Sequence, residues 1–159
     1  MNDNIFSGKY KAAFEALAKE GSIIPLTPED ILKLHQIGIE EFGGLEGLKE
    51  PGTFGQLCGA PFESFFGQEL YPTITDKVAC YFHKFATHQV FNDGNKRTAI
   101  SSAMKLLEVN GFEFTLSSYE LYNTALDTAN NKYTVEELSA FFAKNIDFIQ
   151  PDVDKGLGV

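Results

Sequence analysis

Apolar residues recur at helical spacing along most of the chain, and signals that open and close helices stand between those runs. Tyr10, Ala13, Phe14 and Leu17 share one face of the stretch from Phe6 to Glu20, which Gly21-Ser22 closes, so a short amphipathic helix is predicted there. "LTPED" follows. Thr27 suits an N-cap, Pro28 the first helical position, and Asp30 completes a capping-box-like start. Ile31, Leu34, Ile37 or Gly38, and Phe42 then form the stripe of a second helix that stops at Gly43-Gly44.

From Leu45 to Pro72 the pattern breaks up. Counted with Gly43 and Gly44, this stretch holds seven of the 14 glycines, together with Pro51, Pro61 and Pro72. Phe62, Phe65, Phe66 and Tyr71 punctuate it, which predicts a packed functional loop, with a short helix near Thr53 to Leu57 and a small hairpin near Phe62 to Gln68. Helical spacing returns with Val78, Phe82, Phe85 and Ala86, capped by Thr75-Asp76 and running to about Thr87. After a loop at Val90 to Gly94, Ile100, Ala103, Met104 and Leu107 mark another helix, terminated by Asn110-Gly111 after Val109. Ser117-x-x-Glu120 and Thr134-x-x-Glu137 are capping boxes that open two further helices of about a dozen residues each. Beyond the small hairpin, no stretch alternates for long enough to build a sheet. The predicted fold class is all-α, with residues 1–24 as a helical extension, 25–149 as the domain and 150–159 as a frayed tail.

Composition narrows the function. The 159 residues fit a single domain, and 43% apolar content with 15 Phe and no Trp excludes disorder for its body. A formal net charge of −9 argues against a general binder of nucleic acid or anionic membrane, whose footprint would be basic. Any anion site must therefore be local. Cys58 and Cys80 lack metal-ligand spacing and read as small buried apolar residues in a reducing compartment. There is no run of 18 apolar residues and no cationic-then-apolar start, so a cytoplasmic protein is the expectation.

The local exception to the acidic balance is "FNDGNKR", residues Phe91 to Arg97, at the start of a helix. A helix N-terminus leaves its first N–H groups unpaired, and its dipole attracts anions. Gly94 permits a backbone in which successive amides converge with no side chain to hold a phosphate off. Lys96 offers a compact charge, Arg97 a fork able to grip two oxygens, and Asp93 a hard oxygen ligand for a magnesium ion (Mg2+) carried by a nucleotide. Phe91 would pin the loop to the core. Taken alone, Asn-Asp-Gly is a common turn and Lys-Arg a common solvated pair, so it is the whole string between two apolar helices that carries the reading.

"FNDGNKRTA", with a helix before and after it, resembles the signature of Fic-fold proteins of the Doc (death-on-curing) branch, His-x-Phe-x-Asp-(Gly/Ala)-Asn-Lys-Arg. "LTPEDILKLHQIGIEEFGGLEGLKEPG", "FGQELYPT" and "LLEVNGF" are similar to that family's flanking segments, so the resemblance covers roughly Pro25 to Asn145. It implies a helical bundle with a small flap, and an enzyme that uses ATP and magnesium. Most of the family transfers AMP to a protein hydroxyl, with Asn-Gly-Arg and a second arginine three residues on. The Doc branch has lysine in place of that glycine and transfers the γ-phosphoryl. Here Lys96 follows Asn95 and Ile100 stands at the second-arginine position, which favours the kinase form. By the same resemblance Asp93 matches the metal-binding acid, and Gly94, Asn95, Lys96 and Arg97 match the nucleotide-binding cradle. The Pro61 to Tyr71 region matches a flap that pairs with an extended target segment. The implied partners are a target hydroxyl, with elongation factor Tu the family's precedent, and a small antitoxin protein that covers the groove.

One departure bears on activity. The family's catalytic histidine stands two residues before the phenylalanine; here that residue is Gln89, and His88 is its neighbour. A histidine with pKa near ~6.5 can take a hydroxyl proton at neutral pH, and glutamine cannot. Three readings stay open: His88 supplies the base through a twisted loop, the chain is a naturally weakened form that still binds nucleotide or partner, or Gln89 is an inactivating replacement. AMP transfer and a non-catalytic binding module stand as the alternatives to the kinase. His35 and His83, within helices, read as satisfied buried or half-buried residues. The inhibitory pattern (Ser/Thr)-x-x-x-Glu-(Gly/Asn) is matched by Ala16-x-x-x-Glu20-Gly21 only in its second half, so the first helix reads as packing or an oligomer contact.

Overall fold

A computed structural model describes residues 23–149, so the helix predicted over Phe6 to Glu20 and the tail from residue 150 lie outside the described residues. Six helices follow in order: α1 (Pro28–Phe42), α2 (Pro51–Gly59), α3 (Ile74–Thr87), α4 (Asn95–Val109), α5 (Ser118–Ala129) and α6 (Val135–Ala143). Between α2 and α3 a hairpin pairs β1 (Ser64–Phe65) with β2 (Gln68–Glu69); β3 (Phe112–Phe114) pairs antiparallel with β4 (Ile146–Phe148). The all-α expectation holds, with two small two-stranded sheets attached.

Helix starts follow local chemistry. Reciprocal capping boxes open α1 at Thr27/Asp30, α5 at Ser117/Glu120 and α6 at Thr134/Glu137, as the spacing predicts. The start of α3 is corrected. Thr73, not Thr75, is the N-cap, because its hydroxyl accepts from the Asp76 N–H while the Asp76 carboxylate accepts from the Thr73 N–H. Thr75 is buried instead, where the Ser139 hydroxyl donates to its oxygen.

Helix α3 is the axis of the bundle. Ten of its 14 residues are buried, Val78, Phe82 and Phe85 among them, and α4, α5 and α6 pack around it. Phenylalanine does much of the filling: Phe82 meets Phe142 edge-on at 5.1 Å, Phe54 meets Phe91 at 5.5 Å, and the Tyr81 hydroxyl donates to the Cys58 carbonyl at 2.8 Å. Two predicted stripes are rotated. On α1 the buried residues are Ile31, His35 and Ile39, whereas Ile37 and Phe42 are exposed. On α4, Met104 is exposed while Thr98, Ala99, Ser102 and Leu106 join Ala103 and Leu107 inside. Helix α2 exceeds its predicted bounds of Thr53 to Leu57, and α6 is nine residues rather than a dozen.

The first hairpin, expected near Phe62 to Gln68, lies within two residues of that place. Its turn residues Phe66 and Gly67 both have positive φ (52° and 78°), the geometry that matches the twist of a two-residue connection. Nothing in the sequence pattern predicts the β3–β4 pair. Phe112 stacks on Phe148 at 4.9 Å across it, and Phe114 meets Phe142, so the pair closes one end of the core.

Candidate functional site

The α3–α4 loop is fixed from both sides. Val90 and Phe91 are buried, and the Val90 carbonyl accepts from the Lys49 and Glu50 N–H groups at 2.7 and 3.0 Å. The Asn92 N–H donates to Gly47 O, and its side chain donates to Glu46 O. Residues 43–50 thus form a shelf under the loop. Gly44 and Gly47 hold positive φ (120° and 111°), and a Cβ on Gly47 would stand 2.9 Å from the Asn92 side-chain nitrogen. From above, the His35 ring stacks on Phe91 at 3.7 Å, and its Nε2–H donates to the Asp93 carbonyl at 2.7 Å. His35 is a satisfied core residue, as expected, and it braces the loop.

Asn95 closes the loop on itself. Its side-chain oxygen accepts from the Phe91 N–H at 3.0 Å while its amide nitrogen donates to the Phe91 carbonyl at 3.0 Å. Both hydrogen-bonding groups of that side chain thereby serve the backbone. The chain next enters α4 through Gly94 in the left-handed region (φ 79°, ψ 20°). The contrast with α1, α3, α5 and α6 is chemical: those helices begin in capping boxes, whereas no side chain caps α4. Its first amides are left to whatever approaches the loop.

Three charged residues, Arg97, Asp93 and Lys96, stand at this mouth. Half-buried Arg97 donates from Nη2 to Gly43 O at 3.0 Å, stacks its guanidinium over Phe42 at 5.1 Å, and leaves a buried Nε without a partner. It lines a cavity of about 630 Å³ with Gly94, Gly38, Phe42 and Ile100, so the exposed Ile37 and Phe42 of α1 are cavity walls. The Asp93 carboxylate accepts from the Leu45 N–H at 2.7 Å through Oδ2. Lys96 is half-buried. The structure brings Gly94 and Arg97 together on one cavity, whereas Asp93, Lys96, His88 and Gln89 are not among its lining residues.

His88 is the C-cap of α3 and is exposed, as is Gln89. The ring of His88 folds back on its own helix, with Nδ1 3.0 Å from the Lys84 carbonyl and 3.2 Å from the Thr87 hydroxyl. The carbonyl contact requires a proton on Nδ1, which leaves the lone pair of the neutral ring on Nε2. Elsewhere, Cys58 and Cys80 are free and buried, and burial pushes their thiols up to about 12 and about 11.

A sequence model of the Fic/DOC family matches residues 25–107, which takes in α1, α2, the hairpin, α3, the loop and most of α4. The chain belongs to the Fic/DOC family. It is 32% identical over 117 residues to the protein kinase doc of Escherichia phage P1, covering 72% of this chain and 89% of that relative. It is also 32% identical over 88 residues to the toxin Doc of Mycolicibacterium smegmatis, covering 55% of this chain and 65% of that relative. Set beside this Fic/DOC fold, residue-by-residue reading missed the shelf at 43–50. Its signal lay in Gly44 and Gly47, which are legible as glycines but not as neighbours of Asp93 and Asn92.

Proposed function

We propose that this Fic/DOC protein is a Doc-like toxin of a toxin–antitoxin pair, transferring the γ-phosphoryl of ATP to a serine or threonine hydroxyl of a target resembling elongation factor Tu. One observation carries the reading: the uncapped start of α4 at left-handed Gly94, with Arg97 beside it on a cavity of about 630 Å³. The names of the two relatives, a protein kinase and a toxin, support it.

Each residue has a task in that scheme. The amides of Asn95 to Arg97 and the Lys96 ammonium hold phosphate oxygens, while the Arg97 fork exchanges its Gly43 carbonyl for phosphate. Asn95 acts through the loop, keeping Phe91 and Gly94 in register. Asp93, with one carboxylate oxygen given to the Leu45 N–H, keeps the other for a hard cation. No group of three or more potential metal ligands exists among the described residues, which fits a magnesium ion brought by the nucleotide rather than one caged by protein. A magnesium ion held by Asp93 would supply neutralisation of the charge on the nucleotide's phosphates. The β1–β2 hairpin offers its edge to an extended acceptor segment.

Gln89 occupies the position of the family's general base. Its amide can orient the acceptor hydroxyl but cannot take its proton, a loss of roughly 10²–10⁴-fold in rate. His88 is held to the last turn of α3 and does not replace it in this scheme. Ile100 on the cavity wall, where AMP-transferring members carry arginine, favours γ-phosphoryl transfer.

The test uses purified protein and a Gln89→His form, each given γ-labelled or α-labelled ATP with an elongation-factor-Tu-like acceptor and a cell extract. Label from the γ position, in the Gln89→His form alone or far more strongly there, is the expected result. Transfer of the α label would replace the kinase with an AMP transferase. No transfer and no nucleotide binding by either form would leave a binding module for the antitoxin.

A further inference from the structure

Lys77, in the first turn of α3, is only 2% exposed. Enclosing an ammonium is unfavourable unless every N–H bond finds an acceptor. All three do: Nζ lies 2.7 Å from Glu69 Oε1, 2.7 Å from the Tyr71 carbonyl and 3.1 Å from the Pro61 carbonyl. The Phe62 ring covers the same nitrogen at 4.8 Å.

These acceptors are distributed in an informative way. Pro61 precedes the first hairpin, Tyr71 follows it, and Glu69 lies in β2. One charge therefore ties both feet of the hairpin and one of its strands to α3. The hairpin itself is slight: two residues per strand, all exposed, closed at its base by the Leu70 N–H donating to the Glu63 carbonyl at 3.0 Å. A two-stranded ribbon of that size is marginal without an anchor. From Lys77 to Thr87 the same helix rises about 15 Å and delivers the chain to His88 and Gln89.

We propose that Lys77 is a positioning residue: its buried ammonium clamps the hairpin to α3, so that a polypeptide pairing with the hairpin edge is held at a fixed height relative to the α3–α4 loop. What pairs with the edge rests on the transferase reading above; the clamp does not.

Two substitutions test it, each also made with Gln89→His so that turnover can be read. Lys77→Met keeps the apolar stem and removes all three donors. Glu69→Gln removes the charge partner and keeps both carbonyl bonds. Residue-resolved amide hydrogen exchange should show the amides of residues 63–71 exchanging about ten-fold faster or more in Lys77→Met, with a smaller change in the same direction in Glu69→Gln, while α4 and α6 stay protected. The KM for the acceptor protein should rise about five-fold or more with the KM for ATP unchanged, since only the acceptor meets the hairpin. Unchanged hairpin exchange in a folded Lys77→Met protein would overturn the clamp. Were Lys77→Met to lose protection throughout, Glu69→Gln decides, and normal hairpin exchange there would overturn it equally. A loosened hairpin with an unaltered acceptor KM would refute the positioning role. A loosened hairpin with no transfer by any form would instead discard the transferase reading and leave the clamp standing.

Discussion

Replacing Asn95 by alanine should damage the protein far more than its half-buried setting suggests. The side chain makes two hydrogen bonds, both to the backbone of one residue, Phe91, and both at 3.0 Å. Phe91 is 1% exposed, so its N–H and C=O have no water to turn to once the amide is gone. A buried backbone group left unsatisfied costs about 1–3 kcal/mol, so the pair together should cost about 2–4 kcal/mol after partial relaxation. Against a total stability of about 5–15 kcal/mol, that is a large loss from one truncation. Asn95→Asp separates the two halves of the effect. It keeps an acceptor for the Phe91 N–H but sets a carboxylate oxygen against the Phe91 carbonyl, partly offset by about 0.3–1 kcal/mol for an acid in the first turn of α4. Its expected cost is about 1–2 kcal/mol, between wild type and alanine. Urea unfolding followed by far-ultraviolet circular dichroism measures both, and the slope with denaturant should not change. A cost below about 0.5 kcal/mol for Asn95→Ala, the range of an ordinary surface change, would refute the claim that this amide holds the loop.

Two further outcomes follow from titratable groups that the fold takes partly or wholly out of water. Burial, then the neighbouring Lys84 charge, holds the His83 pKa below the ordinary 6.5, against a backbone hydrogen bond at Tyr133 that pulls it up. Unfolded protein therefore binds more protons at this site below pH about 6.5, and the stability His83 contributes, complete above that pH, falls as pH drops towards its folded pKa. A proton-NMR titration of the His83 ring should give a midpoint under 6.5, and a midpoint at or above it would contradict this. Cys58 and Cys80, with thiols pushed up to about 12 and about 11, should react with a disulfide reagent at pH 8 only as fast as the protein opens, so urea should accelerate labelling sharply; rapid labelling of the native protein would be inconsistent with their burial.

What the amino-acid string reveals here is what is local. Capping boxes at Thr27, Ser117 and Thr134 are four-residue signals and are correct as read. The same rule, applied strictly, would have chosen Thr73 over Thr75, because only Thr73 stands three residues before Asp76. Helical periodicity finds an apolar face without saying what covers it. Ile37 and Phe42 satisfy the spacing yet face a cavity, while the buried stripe of α1 runs through His35, a polar residue that stacks on Phe91. The β3–β4 pairing joins three-residue strands from Phe112 and Ile146, too short to alternate visibly and too distant to read as a hairpin. The same division holds at the site. Gly94 and Arg97 were legible because "DGNKR" is contiguous, whereas the shelf that locates Asp93 and Asn92 comes from Gly43 to Leu48, some 45 positions earlier.

The proposed transferase depends on the first amides of α4 as a seat for phosphate. Amide chemical shifts in isotope-labelled protein, followed while magnesium ATP is added, read that seat residue by residue. The amides of Gly94, Asn95, Lys96 and Arg97 should move together and saturate, those of α6 should stay still, and Arg97→Ala should weaken the response at least about ten-fold. Saturable shifts elsewhere with these four amides unmoved, or an unaltered response in Arg97→Ala, would contradict it.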